Sequence, residues 1–161
     1  MRSVLRITKL ADYATLILLI MAEDADALIS SVVVRQRAQL EPATVSKILK
    51  TLTNAGLVTS LRGPRGGYRL ARSAETITLL DILQAIDGPF ALTECMLPEP
   101  VTCQRTACCP ARPHWQRVQT QLHLYLHSVP LSSLLHPPLA ATLPPSSTCA
   151  PLCCCQNTIT F

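Results

Sequence analysis

Four cysteines, Cys95, Cys103, Cys108 and Cys109, fall within 15 consecutive residues of this 161-residue chain. Pro98, Pro100 and Pro110 interrupt the same stretch. Proline fixes φ and removes a backbone donor, so the segment reads as a loop whose thiols are free to converge on a point instead of spreading around a helix. In a reducing compartment, clustered thiols bind metal or do redox chemistry more often than they form structural disulfides. Thiolates suit zinc or an iron–sulfur cluster, and the spacing lacks the two close pairs of a zinc ribbon. The residues alone leave three readings: a bound metal or cluster, a reactive dithiol at Cys108–Cys109, or inert thiols. A thiol–disulfide enzyme is disfavoured, because there is neither Cys-x-x-Cys spacing nor a flanking βαβ pattern.

A second chemistry is written upstream. From Pro42 to Ala55 the apolar residues Val45, Ile48, Leu49 and Leu52 recur at helical spacing and form one stripe. Opposite lie Ala43, Thr44, Ser46, Lys47, Lys50 and Thr51, short side chains and two lysines with no acid between Glu41 and Glu75. Short residues allow close approach to base edges, hydroxyls bond bases or phosphates, and lysines neutralise phosphate. Gly56 closes that helix, and Leu57 to Ala71 reads as a β-hairpin whose Gly63, Pro64, Gly66 and Gly67 supply the reversal. Arg62 and Arg65 are then held on its tip, where guanidinium groups can enter a narrow groove of duplex DNA. Charge follows the same division. Residues 1–72 carry 11 Lys and Arg against 5 Asp and Glu, and the remainder carries 3 against 5. A basic half of this size supports nucleic-acid contact.

The elements that must position these groups follow from periodicity. Leu10, Tyr13, Ala14, Ile17, Leu18 and Met21 mark a first helix capped by Thr8, and a second runs from about Ser31 to Gln39 despite Val32, Val33 and Val34. Arg2, Arg6 and Lys9, the apolar stretch Ala14 to Ala22, and Ala25-Asp26-Ala27 also have the layout of a secretory signal. Asp12 and Tyr13 interrupt it, and the stretch is too short to span a membrane. After the hairpin, Thr78 and Asp81 form a capping-box pair before a helix ended by Gly88 and Pro89. The fold class is mainly α: a winged helix-turn-helix with a two-stranded β-wing, a cysteine-bearing loop and a long C-terminal dimerisation helix. That last helix begins after Pro113, where Trp115, Val118, Leu122, Tyr125 and Val129 recur as an a/d seam. The same stripe could instead pack on its own domain. The expected divisions are 1–88 for the DNA-binding domain, 89–112 for the loop, 113–129 for the helix and 130–161 for a Pro/Cys-rich tail. No Lys, Arg, Asp or Glu follows Arg117, and 6 of the 13 prolines lie between Pro130 and Pro151. A disordered tail is expected there. A reading frame shifted near residues 118–136 would also account for the loss of charge. Cys149, Cys153, Cys154 and Cys155 lie in the tail and are not read as a second metal site or a lipid anchor.

The segment Thr8 to Leu126 resembles the family of iron–sulfur winged-helix transcription regulators, the IscR- and NsrR-like proteins and their SUF-system assembly branch. The residues that carry the resemblance are Ile7 to Ala14, Val45 to Leu52, Ala55 to Val58, Arg62 to Leu70 and Ala91 to Cys95. Leu92-Thr93-Glu94-Cys95 and Lys47-Ile48-Leu49-Lys50 are most similar to the SUF branch. The resemblance implies a cytoplasmic homodimer that binds a double-stranded DNA operator, with the helix from Pro42 in the major groove and Arg62 at the minor groove. It also implies a two-iron or four-iron cluster held by Cys95, Cys103 and Cys109, with Cys108 taking the last place if the register shifts by one. Cys109 is preferred because Pro110 and Trp115 follow it as they do in the family. Arg112 stands where some members have a histidine ligand, so the fourth ligand is open, with His114 and Asp12 of a partner subunit as candidates. The expected function is regulation of SUF-type cluster-assembly genes by cluster status. The alternatives are a cofactor-free thiol sensor that binds DNA and, behind it, the thiol–disulfide enzyme.

Overall fold

A computed structural model describes residues 6–24, 27–63, 66–97 and 103–135. Helix α1 (Lys9–Ala22) lies at its centre, because Ala11, Ala14, Ile17, Leu18, Ile20, Met21 and Ala22 are all buried. The Thr8 hydroxyl caps it by accepting from the Ala11 N–H at 3.1 Å. The apolar stretch Ala14 to Ala22 of the secretory-signal layout lies within α1 and supplies most of its core residues. Helix α2 (Ser31–Ala38) starts at the Ser30 cap and ends at Gln39, which adopts φ 53°. Val34 is buried while Val32 and Val33 are exposed, so one of the three consecutive valines secures the helix to α1 and α3. Helix α3 (Pro42–Asn54) starts on Pro42, whose missing N–H costs nothing there. It buries Val45, Ile48, Leu49 and Leu52, the stripe read from the sequence.

The chain reverses at Gly56 (φ +71°) into β1 (Val58–Leu61), which pairs antiparallel with β2 (Gly67–Leu70) from Val58↔Leu70 to Leu61↔Gly67. Ile29 adds a short third edge that was not legible in the sequence. Its N–H donates to the Tyr68 carbonyl and its carbonyl accepts from the Tyr68 N–H, both at 2.9 Å. Gly67 is required by this approach, since a Cβ there would lie 2.9 Å from the Ile29 carbonyl oxygen. Gly63 turns the tip at φ +127°.

Helix α4 (Leu79–Asp87) has the predicted capping box. The Asp81 N–H donates to Thr78 Oγ1 at 3.2 Å, and the Thr78 N–H donates to Asp81 Oδ2 at 3.1 Å. It packs on α1 through Leu80, Ile82 and Leu83. A short 3-10 turn (Glu94–Met96) precedes α5 (Arg112–Ser128), which has no buried residue. Its Trp115, Val118 and Tyr125 are 48%, 44% and 66% exposed. Leu122 and Val129 of the same stripe are half-buried and α5 packs against α4, so the stripe is open in part.

One expectation is corrected at the end of α5. The tail was placed from residue 130, but Leu131–Leu135 form α6, which packs on α1, and Leu131 is completely buried. The Leu79 N–H donates to the Val129 carbonyl at 2.9 Å, and the Leu131 N–H donates to the Ile77 carbonyl at 2.8 Å. Pro130 faces Thr78 between these rungs. The prolines discouraged any ordered reading, but Pro130 needs no donor here because the two rungs on either side of it use the N–H groups of Leu131 and of Leu79 on the facing segment. The tail cysteines lie outside the described residues.

Candidate functional site

The residues expected to face DNA are carried by two adjacent helices and the hairpin. Burial of Val45, Ile48, Leu49 and Leu52 turns Ala43, Ser46, Lys47 and Lys50 outward, with Thr44 half-buried at their edge. The Thr51 hydroxyl donates to the Lys47 carbonyl at 3.0 Å, which ties it to its own helix. Arg62 is exposed at the end of β1; Arg65 lies outside the described residues. Two concavities open at the start of α2. A crevice of about 150 Å³ lies between Ser31, Val32 and Arg35 of α2 and Pro42, Val45 and Ser46 of α3. A groove of about 480 Å³ runs between Ser30–Ser31 and the wing residues Ser60, Leu61, Arg62 and Tyr68. Ser31, Arg35 and Ser60 were not singled out from the sequence. Their signal was a pair of hydroxyls at a helix start, which reads as a cap until the Ile29–Tyr68 bridge brings the wing beside it. Helix N-termini of this kind offer free N–H groups to phosphate.

The thiol group sits at the other end of the molecule's order, between α4 and α5. Cys95 is half-buried in the 3-10 turn, with its Sγ 3.2 Å from Thr93 Oγ1. Cys103 and Cys109 are half-buried and Cys108 is exposed, and none of the four is in a disulfide. Thr106 folds the second part of the loop, donating from its N–H (3.2 Å) and its hydroxyl (2.7 Å) to the Cys103 carbonyl. The Cys109 carbonyl accepts from the Arg112 N–H at 3.3 Å, which leads the chain into α5. Gln119 fastens the first part of the loop to α5: its Oε1 accepts from the Leu92 N–H at 2.9 Å, and its Nε2 donates to the Phe90 carbonyl at 3.2 Å.

The thiols do not converge. Among the described residues no three His, Cys, Asp or Glu side chains form a group able to hold a metal ion. His114 is exposed on α5, Asp12 is exposed in the first turn of α1, and neither joins the cysteines. The chemistry of the donor set nevertheless suits an anionic, sulfur-rich group. Cys95, Cys103 and Cys109 are half-buried and unbridged, and Cys95 shares a cleft of about 390 Å³ with Met96, Arg112, Gln116, Gln119 and Thr120. Arg112 donates through Nη1 to the Thr106 carbonyl at 3.1 Å, but its Nε is buried with no acceptor among the described residues. A buried donor left unmet costs about 1–3 kcal/mol.

Presenting α3 on a buried stripe beside a basic turn is how a winged-helix transcription regulator meets duplex DNA, and that is the class of this protein. Across residues 7–137 its sequence matches the Rrf2 family model, described as iron-dependent transcriptional regulator, and the chain belongs to that family. It is 30% identical over 146 residues to protein rrf2 of Nitratidesulfovibrio vulgaris, covering 90% of this chain and 95% of that one. It is 28% identical over 102 residues to the HTH-type transcriptional regulator IscR of Vibrio vulnificus, covering 63% and 60%. Among solved structures it is similar to CymR, the global cysteine regulator of B. subtilis, with TM-score 0.63 and 26% identity over 81% of this chain and 96% of that one. The relatives are regulators of transcription and not enzymes, which sets aside the thiol–disulfide enzyme. No described helix is long and apolar enough to cross a membrane.

Proposed function

We propose that this Rrf2-family regulator is a cytoplasmic homodimer that reads iron–sulfur cluster status through Cys95, Cys103 and Cys109 and controls cluster-assembly genes of the SUF type. The observation that carries the reading is the loop before α5, where Cys95, Cys103 and Cys109 are half-buried and unbridged and Cys95 lines a cleft together with Arg112. An IscR among the relatives supports it. The open stripe of Trp115, Val118 and Tyr125 supports a two-fold dimer through α5, which would set two α3 helices into successive major grooves. Lys47 and Lys50 would neutralise phosphates while Ser46 and Ala43 approach the base edges. Arg62 and, from the sequence, Arg65 would take the minor groove.

When bound, the cluster supplies a tie among the thiols that depends on iron, sulfide and redox state. The chain's own contacts carry the state of that loop onward. Arg112 joins the Thr106 turn to the first turn of α5, Gln119 joins α5 to Phe90 and Leu92, and the Val129–Leu131 rungs join its far end to α4. Coupling of this kind requires two states that differ in DNA affinity. The test is binding of anaerobically purified protein, with and without reconstituted iron and sulfide, to a duplex selected from a random-sequence library. Iron and acid-labile sulfide in the protein together with a state-dependent affinity are expected. Equal affinity in both states refutes the switch, and absence of both elements refutes the cluster.

A second reading, a cofactor-free thiol sensor, is favoured by the exposed Cys108 beside Cys109 and by similarity to a cysteine regulator. Colourless anaerobic protein whose DNA affinity changes on oxidation of its thiols would select it.

A further inference from the structure

A cavity of about 470 Å³ opens where the start of α1 meets the end of α4, and none of its lining residues belongs to α3, the wing or the thiols. Its apolar lining is Ile7, Leu83, Pro89, Phe90 and Leu92, and Ile7 is 52% exposed, with surface left to cover. Two opposite charges line the same space, Arg6 and Asp87. Asp87 is held by Thr8, whose hydroxyl donates to Oδ1 at 2.8 Å and lies 3.0 Å from Oδ2. One shared proton leaves most of a carboxylate's acceptor positions open, and no cation pairs with Asp87 among the described residues. Arg6 has neither an ion pair nor a hydrogen bond among them. A cation and an anion that share a cavity without meeting each other are matched by a ligand that carries both signs. An α-amino acid does so on one carbon: its carboxylate suits a guanidinium fork and its ammonium suits a carboxylate. An aliphatic side chain beside Ile7, Phe90 and Leu92 then leaves water for apolar surface.

We propose that this cavity binds a free α-amino acid with an aliphatic side chain, carboxylate on Arg6 and ammonium on Asp87, and that it is an effector site for DNA binding. Its place in the fold supplies the second part. Thr8 caps α1, Asp87 ends α4, and the Phe90 carbonyl and Leu92 N–H are the groups that Gln119 of α5 holds. A ligand drawn in among them acts on the junction between the DNA-binding body and α5. The inference is independent of the cluster reading.

The test titrates the full chain, reduced and free of iron, by calorimetry with L-leucine, L-isoleucine and L-valine. Isocaproate, which is leucine without its ammonium, and isoamylamine, which is leucine without its carboxylate, are titrated beside them. At least one amino acid is expected to saturate the protein, and the two fragments to bind at least about tenfold more weakly than leucine. Arg6→Gln and Asp87→Asn, each checked by a thermal melt, are expected to lose about tenfold in affinity for the amino acid. Should Asp87→Asn not fold, Arg6→Gln reads the same loss, since no hydrogen bond of the described residues depends on Arg6. The saturating amino acid changes affinity for the selected duplex, and the duplex changes affinity for the amino acid by the same factor. No saturable binding of any of the three up to about 10 mM, or binding that folded Arg6→Gln or Asp87→Asn leaves unchanged, overturns the site. A fragment that binds as tightly as leucine overturns the match to two charges. Binding with unaltered DNA affinity overturns the effector role alone. Iron and sulfide content reads the cluster separately, so neither failure is mistaken for the other.

Discussion

Leu131→Ala tests whether the chain beyond α5 belongs to the folded body. Leu131 is completely buried and is the one buried residue of α6. Burying a leucine contributes about 2 kcal/mol by area, and the two rungs from the N–H groups of Leu131 and Ser132 to the carbonyls of Ile77 and Ala74, at 2.8 and 2.9 Å, add about 1 kcal/mol each. Docking of α6 is therefore worth roughly 4 kcal/mol on these figures, and no substitution within it can cost more, since a helix this short can lift away instead of enclosing a cavity. Leu131→Ala should cost about 2–3 kcal/mol, at the lower end for a leucine in a core. Ending the chain after Val129 should cost about 1–2 kcal/mol more, because the rungs go too. Leu134, 36% exposed, is the control, and its replacement by Ala should cost under about 1 kcal/mol. Urea titration of reduced, cluster-free protein at one fixed concentration measures all three as midpoint shifts at unchanged slope. A Leu131→Ala midpoint within about 0.5 kcal/mol of wild type would refute the docking.

Further expectations concern the sites. Arg62→Ala should weaken binding to the selected duplex by about 1–3 kcal/mol if Arg62 reads a base, whereas Lys47→Ala should weaken all sequences alike and lower the salt slope by about 1; titrations at several salt concentrations separate the two. Gln119→Leu removes both hydrogen bonds that hold Phe90 and Leu92 on α5. It should narrow the affinity difference between the cluster-loaded and cluster-free protein while leaving the iron content unchanged, as read by DNA titration and metal analysis. Cys108→Ser should retain iron and sulfide where Cys109→Ser loses them; the reverse outcome would move the last ligand by one residue.

The elements of the winged-helix half were largely legible because their signals are local and repetitive. The α3 stripe, the Pro42 start, the Gly56 reversal and the Thr78–Asp81 box each lie within a few residues of one another, so spacing alone recovers them. What escaped was made by single long-range contacts. Ile29 joins the wing through one residue, which leaves no period to detect. Leu131 enters the core from a proline-rich run with no polar partner pattern, and composition argued the opposite. In the thiol loop, the residue types announced a sulfur chemistry, but spacing could not show that Arg112 reaches back to Thr106 with a donor to spare, nor that Gln119 closes the loop from 27 residues away.

Helix α5 is mounted at two points on the same body, through Gln119 at its middle and through the Val129–Leu131 rungs at its end. A strut bolted twice cannot swing on a hinge; it can only carry the whole reading head with it. In a dimer joined along that strut, the pitch between the two heads is then a rigid-body quantity, and a spacer altered by a single base pair would be met by torsion of the DNA before any bending of the protein.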